Sequence, residues 1–439
     1  MLIYKSGMLE AICIYFNLST KSLVGKWNGL LVMLLFLFGC KAGSKLSNDN
    51  LATQYFPQKE VFSPQSIVFS SNEDSTFILF SSDRKDLLFM NSANVFSCKL
   101  KVNYSIFETY KSAVPSDTGS YIFEFNAEPA QKTIQGSILL PAVVKRGAIV
   151  RLIFRDIHRG SESIRSVVVK PASKFSSQNI LLKNELGNIY YSNSVPSSSV
   201  ISIDNYFPGM KNLWVRCYFR DFPLATLPFR IIEDEKFRME SDSLFLLYES
   251  DWDSIYLNRQ GIYYLQPDTN LSSGFTIFSF DSDFPRVTKA EHLIEATRYL
   301  TTRKEYLHLM KAQDKKAELD NFWLDVGGSP DRARMLIREY YNRVQDANNS
   351  FTSYMEGWKT DRGMIYLIFG QPISIYRDDE TEQWTYSGLN GFPDVLFIFR
   401  KMNNPFTEND YALIRQPVYE NIWYLAVDQW RMGRIVNEN

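Results

Sequence analysis

Gly357-Trp358-Lys359-Thr360-Asp361-Arg362-Gly363 is the stretch on which the reading of this chain turns. Two glycines bracket a tryptophan and a Thr-Asp pair, where a helical pattern stops and an apolar run begins. In such a loop the glycines are expected at positive φ. Thr360 and Asp361 are expected to cap backbone N–H groups, Trp358 to pin the loop to a core, and Arg362 to pair with Asp361 or Glu356. Upstream, Ser329-Pro330 opens a helix, with serine as N-cap and proline at the first position. Ala333, Ile337, Tyr340, Val344 and Ala347 form its apolar stripe. Further upstream, Thr288 with Glu291 and Thr302 with Glu305 read as capping boxes. Leu293, Ala296 and Leu300 give the first of these helices its apolar face, and Gly327-Gly328 ends the charged helix that carries Phe322-Trp323. Downstream, Met364–Phe369, Ile373–Tyr376, Glu382–Ser387, Val395–Arg400 and Asn421–Val427 read as strands. Helices followed by antiparallel strands predict an α+β domain over residues 285–439.

Toward the amino terminus the pattern is short strands punctuated by turn residues. Ile67–Phe69, Thr76–Phe80, Val95–Val102, Tyr121–Phe125, Thr133–Leu140, Ala148–Phe154 and Ile164–Val169 predict an immunoglobulin-like β-sandwich over 61–172. Pro171 and the serines of 173–177 mark a boundary. Val200–Ile203, Leu213–Phe219, Phe229–Ile232, Ser243–Tyr248, Gly261–Leu265 and Phe275–Phe280 predict a second sandwich over 173–284. No sequence repeat relates the two. The expected fold class is therefore mixed: two β-sandwiches, then an α+β domain.

Residues 1–39 read as an address. Lys21 and Lys26 precede nine apolar residues, Leu30 to Phe38, too few to cross a bilayer and typical of a secretory signal. The run closes in Leu37-Phe38-Gly39-Cys40, which resembles the lipobox of bacterial lipoproteins, where the cysteine is acylated and becomes the mature terminus. Residues 1–20 read as an over-extended start, and 40–60 as a lipidated tether to the outer membrane with the body facing the periplasm.

The 48 basic and 49 acidic residues are well mixed, for a net charge of −1, which offers no footprint for nucleic acid. The 65 aromatic residues (25 Tyr, 32 Phe and 8 Trp) suit β-rich packing. Cys98 and Cys217 sit in apolar, strand-like runs and read as two buried free thiols, with a disulfide between them the alternative in an oxidising periplasm. His158, His292 and His308 are the only histidines, and none has metal-ligand spacing to another. No metal or cofactor motif is present. Asp378-Asp379-Glu380 and Asp281-x-Asp283 read as turn chemistry. A carboxylate pair for glycan hydrolysis, such as Glu356 with Asp361, has nothing to support it.

The central heptad also matches the GWxTD signature, and its surroundings resemble that domain family. Phe284-Pro285, Arg298-Tyr299-Leu300, Phe322-Trp323, Arg343-Val344, Ala347-Asn348, Phe351, Gly370-Gln371-Pro372 and Gln383-Trp384-Thr385-Tyr386 fall in the family's order over roughly 260–430. The resemblance implies an envelope protein of Bacteroidetes-type bacteria, often lipidated, and brings no reaction or catalytic residues. Gly357, Trp358, Thr360, Asp361, Arg362 and Gly363 are therefore candidate structural or docking residues, and Cys40 the lipidation site. The expected function is a membrane-anchored binding or assembly accessory with envelope protein partners and no cofactor. The alternatives are a glycan-binding lipoprotein with exposed aromatics on one sandwich face or near Trp384, and a periplasmic hydrolase with an unrecognised carboxylate site.

Overall fold

The computed structural model describes residues 45–56, 62–71, 75–92, 95–127, 132–171, 175–205, 209–231, 240–271, 273–387 and 394–436, all within one compact unit, Ser44–Asn439. Cys40 and the rest of the expected signal lie outside the described residues. The first described segment is a strap. Leu46–Asn48 form a 3-10 turn and α1 (Ala52–Tyr55) a single helical turn.

The next region alternates buried and exposed positions along its strands, as two-faced sheets require. Its strands are β1 (Gln65–Ser70), β2 (Thr76–Asp83), β3 (Met90–Ser92), β4 (Val95–Phe107), β5 (Asp117–Asn126), β6 (Thr133–Leu140), β7 (Ala148–Asp156) and β8 (Glu162–Val169). They form two antiparallel sheets. One runs β1-β2-β6; the other runs β5-β4-β7-β8, with the short β3 beside β4. Ile78 and Phe80 of β2, Ile134 and Ile138 of β6, Leu100 and Val102 of β4, and Val150, Leu152 and Phe154 of β7 share one buried core.

The second β-rich region repeats that order. Its strands are β9 (Ile180–Asn184), β10 (Ser194–Pro196), β11 (Val200–Asn205), β12 (Asn212–Tyr218), β13 (Ser243–Tyr248), β14 (Ile255–Tyr256), β15 (Gly261–Gln266) and β16 (Phe275–Phe280). One sheet is β9-β11-β14 and the other β10-β16-β15-β12-β13, antiparallel except for β10 beside β16. The expected strand Phe229–Ile232 is absent as far as it is described. Residues 221–229 instead cross the terminal domain as irregular chain, and Ile232 lies outside the described residues. The cause is tertiary: the Ala225 N–H donates to the Lys359 carbonyl at 2.9 Å, and Leu224, Leu227 and Phe229 pack on the terminal core.

The terminal region holds α2 (Ala290–Ala296), α3 (Arg303–Lys311), α4 (Lys315–Gly327), α5 (Pro330–Phe351), α6 (Asp361–Phe369), a sheet of β17 (Ser374–Arg377), β18 (Thr381–Tyr386), β19 (Val395–Lys401) and β20 (Tyr411–Leu413), and finally α7 (Tyr419–Arg431). The sheet runs β17-β18-β19-β20, all antiparallel. Trp323, Trp358, Trp384, Trp423 and Trp430 are all buried in one core. Ser329 caps α5 as expected, and the Thr302–Glu305 capping box opens α3.

Three readings need correction. Met364–Phe369 is the body of α6, not a strand; every residue of that helix is buried, so no polar face marks its period. Asn421–Val427 belongs to α7, whose Ile422, Trp423, Ala426, Val427 and Trp430 recur at helical spacing on the buried side. Thr288 forms no capping box with Glu291. Its N–H and hydroxyl both bond Asp283, and α2 begins after Lys289.

Candidate functional site

The heptad is a joint between two helices. Gly357–Lys359 make a 3-10 turn against α5, and Thr360 then caps α6. Thr360 Oγ1 accepts the Gly363 N–H at 3.1 Å and donates to the Gly357 carbonyl at 2.7 Å. Neither Gly357 nor Gly363 has a positive φ, contrary to expectation. They are glycines because backbones meet there. A Cβ on Gly357 would lie 2.5 Å from the Ala347 carbonyl carbon, and one on Gly363 2.7 Å from the Trp358 Cα. Asn348 fastens the turn to α5 by accepting the Trp358 N–H at 3.3 Å. Trp358 is buried as expected, with the Lys359 ammonium 5.3 Å from its ring centre.

The two charged residues of the signature pair elsewhere than expected. Asp361 accepts the Leu413 N–H at 2.7 Å and is clamped by both terminal nitrogens of Arg415. Burial pushes its carboxyl up, against the pull of the Arg415 charge and the Leu413 N–H. Glu356 pairs with Lys359, so Glu356 and Asp361 serve different partners and form no catalytic couple. Arg362 turns to the sheet. Its Nη2 donates to the Asn409 carbonyl and side chain at 2.8 and 2.7 Å, and its Nη1 lies 3.5 Å from Glu382. The guanidinium is centred 4.3 Å from the Tyr411 ring and 5.2 Å from that of Phe351.

Glu382 is completely buried and is the hub of this network. It accepts from the Tyr55 hydroxyl (2.7 Å), the Trp384 indole (2.7 Å) and Arg377 Nε (2.9 Å). Tyr55 comes from the strap, which is bound like a peptide ligand. The Leu51 N–H donates to the Ile375 carbonyl at 2.8 Å, and the Asn50 side chain bonds the Ile373 carbonyl and the Ile375 N–H of the sheet edge. Phe56 stacks on Tyr366 with centroids 4.4 Å apart, and the Ser350 hydroxyl donates to the Tyr55 carbonyl.

Residues 261–432 match the GWxTD domain. No curated protein matches the chain. The matched span carries the whole heptad and Glu382, while the strap that completes the buried network lies outside it.

The remaining candidates fall into place around the GWxTD domain. Asp378 closes the β17–β18 hairpin by accepting from the Glu380 and Thr381 N–H groups, as the turn reading holds. Among the described residues, no group of three or more His, Cys, Asp or Glu could hold a metal ion. Cys98 and Cys217 are buried free thiols, pushed up to about 11 and about 12 chiefly by burial. His158 lies in a turn, and exposed His308 is 3.4 Å from Glu318. His292 is half-buried, with Nδ1 3.3 Å from Asp281. Trp384 is fully buried, so no sugar ring can stack on it.

Sequence reasoning missed Tyr55, Arg377, Glu382, Asn409 and Arg415. Glu382 adjoins the quoted Gln383-Trp384-Thr385-Tyr386 run, a usable local signal. Tyr55 reaches Glu382 across 327 positions and leaves none.

Two clefts lie near the end of α5, the second of them beside the heptad. One, of about 1000 Å³, separates the β-rich regions from the end of α5 and the 404–409 loop. The other, of about 570 Å³, lies between the second β-rich region, α2 and Tyr354–Lys359.

Proposed function

We propose that this protein is an envelope lipoprotein, acylated at Cys40 on the outer membrane of a Bacteroidetes-type cell. It faces the periplasm and acts as a non-catalytic binding or assembly accessory of a larger envelope or secretion complex. The observation that carries this reading is the strap. The chain beyond Cys40 enters the GWxTD core within about a dozen residues, through Leu51, Tyr55 and Phe56. An anchor at Cys40 would thus hold the first β-rich region, where Leu46 packs on Phe107 and Ile149 and Asp49 pairs with Arg151, together with the GWxTD domain. The signature fits a scaffold: Thr360, Asp361 and Arg362 all have partners inside the protein. The strand orders β1-β2-β6 with β5-β4-β7-β8, and β9-β11-β14 with β13-β12-β15-β16, support reading both β-rich regions as immunoglobulin-like spacers.

The test has two arms. Cells expressing wild type and Cys40→Ser are labelled with a fatty acid and fractionated. Crosslinked wild-type protein is then purified from native membranes in gentle detergent. Label and membrane retention that depend on Cys40, with a reproducible set of envelope partners, support the reading. Equal labelling of both proteins overturns the anchor, and recovery of a monomer alone overturns the assembly role. Trp358→Ala is unsuited as a comparison, because that side chain is core.

A further inference from the structure

We propose that the cleft of about 570 Å³ beside the heptad binds a short peptide bearing one free carboxylate and at least two amino groups. The volume lies within the range of small-ligand sites. Its walls come from several distant segments: Phe219–Phe222 after β12, the Asn258–Gln260 turn, the end of β16, α2, and the 354–359 loop that faces α2.

Several charges on these walls are already matched. Glu356 pairs with Lys359, Arg220 with Asp242, and Asp281 with Lys289 and His292. Three are not, among the described residues. The Arg259 guanidinium is centred 4.5 Å over the Phe219 ring with no carboxylate partner. Asp221 and Glu295 have no cationic partner. One cation and two carboxylates remain, an arrangement complementary to a ligand with one carboxylate and two ammonium groups.

One further polar group is left open in the same cleft. His292 points Nδ1 at Asp281, and no described residue engages its Nε2. His292 and Glu295 lie three apart on α2 and so share a face. The partly exposed rings of Phe219 and Phe280 add apolar surface for a peptide's carbon skeleton. A neutral sugar would leave the three unmatched charges without counter-charges.

The experiment is calorimetric titration of the full chain with the dipeptide alanyl-lysine, which carries one carboxylate and two amines. N-acetyl-alanyl-lysine amide and a neutral disaccharide serve as comparison probes, and Arg259→Gln and Glu295→Gln as variants. Both variants alter partly exposed or exposed side chains, so circular dichroism should show them folded. The proposal expects saturable binding of the dipeptide, weakened about tenfold or more by either substitution, and no binding of the blocked peptide or the sugar. No heat at millimolar dipeptide overturns it, as does binding that both variants retain unchanged. Binding of the disaccharide in place of the dipeptide overturns the ligand class. None of these outcomes depends on the anchor or the assembly role.

Discussion

Gly357→Ala tests whether the heptad is a backbone-to-backbone joint. The added Cβ would sit 2.5 Å from the Ala347 carbonyl carbon and 2.9 Å from the Asn348 Cα, and closer still to the Ala347 oxygen. All three atoms are main chain of α5, which has no rotamer with which to give way. Carbon contacts need about 3.5 Å, so the turn must retreat from α5 by roughly an ångström. That retreat also draws buried Trp358 from its site and stretches the Trp358 N–H bond to Asn348. Overpacking of this kind costs about 1–3 kcal/mol, and the loosened indole and lost bond bring the expected total to about 3 kcal/mol or more. Urea unfolding followed by tryptophan fluorescence reads the change as a fall in midpoint at unchanged slope. Gly160→Ala is the control. It has φ +76° with nothing within 4 Å of the new Cβ, so backbone strain alone should cost about 1 kcal/mol. A Gly357→Ala protein no less stable than the Gly160→Ala control would refute the joint.

Three other outcomes follow from the buried groups. Glu382→Gln leaves Arg362 and Arg377 facing a neutral amide in the core; it should destabilise by about 3–5 kcal/mol, and a loss under about 1 kcal/mol would mean that the guanidiniums are satisfied without it. Burial raises the Asp281 carboxyl, but Lys289, the Ser282 N–H and the His292 charge outweigh burial and hold it below its usual range. A depressed carboxylate contributes stability above its unfolded pKa, about 3.9, and loses it as pH falls through the folded value. Wild type should therefore exceed Asp281→Asn in stability at neutral pH and converge with it in acid; a gap unchanged by pH refutes the ion pair. Cys98 and Cys217, buried and pushed up to about 11 and about 12, should resist a thiol reagent in the native protein and react on unfolding; prompt native labelling would place them at the surface.

Local signals were enough for elements that declare their ends and faces. Ser329-Pro330 opens α5, and the stripe Ala333, Tyr340, Val344 and Ala347 is buried against the core. Thr302 and Glu305 bond reciprocally at the start of α3. Thr133–Leu140, Ser243–Tyr248 and Phe275–Phe280 are strands with the bounds their residues suggest. The misses have separate causes. Met364–Phe369 is buried on every side, so as a string of six apolar residues it reads equally as strand or helix. Residues 221–229 follow the surface of another part of the chain, not their own propensity.

By itself the sequence determined the alternation of short strands, the capped helices and the GWxTD heptad, because these depend on neighbours within a few residues. The tertiary structure decided the rest. It gives the two β-rich regions one strand order without a visible sequence repeat, since pairing depends on face and register rather than residue identity. It turns Arg362 toward Glu382 rather than Asp361, and brings Tyr55 of the strap to the same carboxylate. Those partners were invisible because a buried charge takes whichever counter-charge the packed chain brings within reach, however far away it lies in sequence.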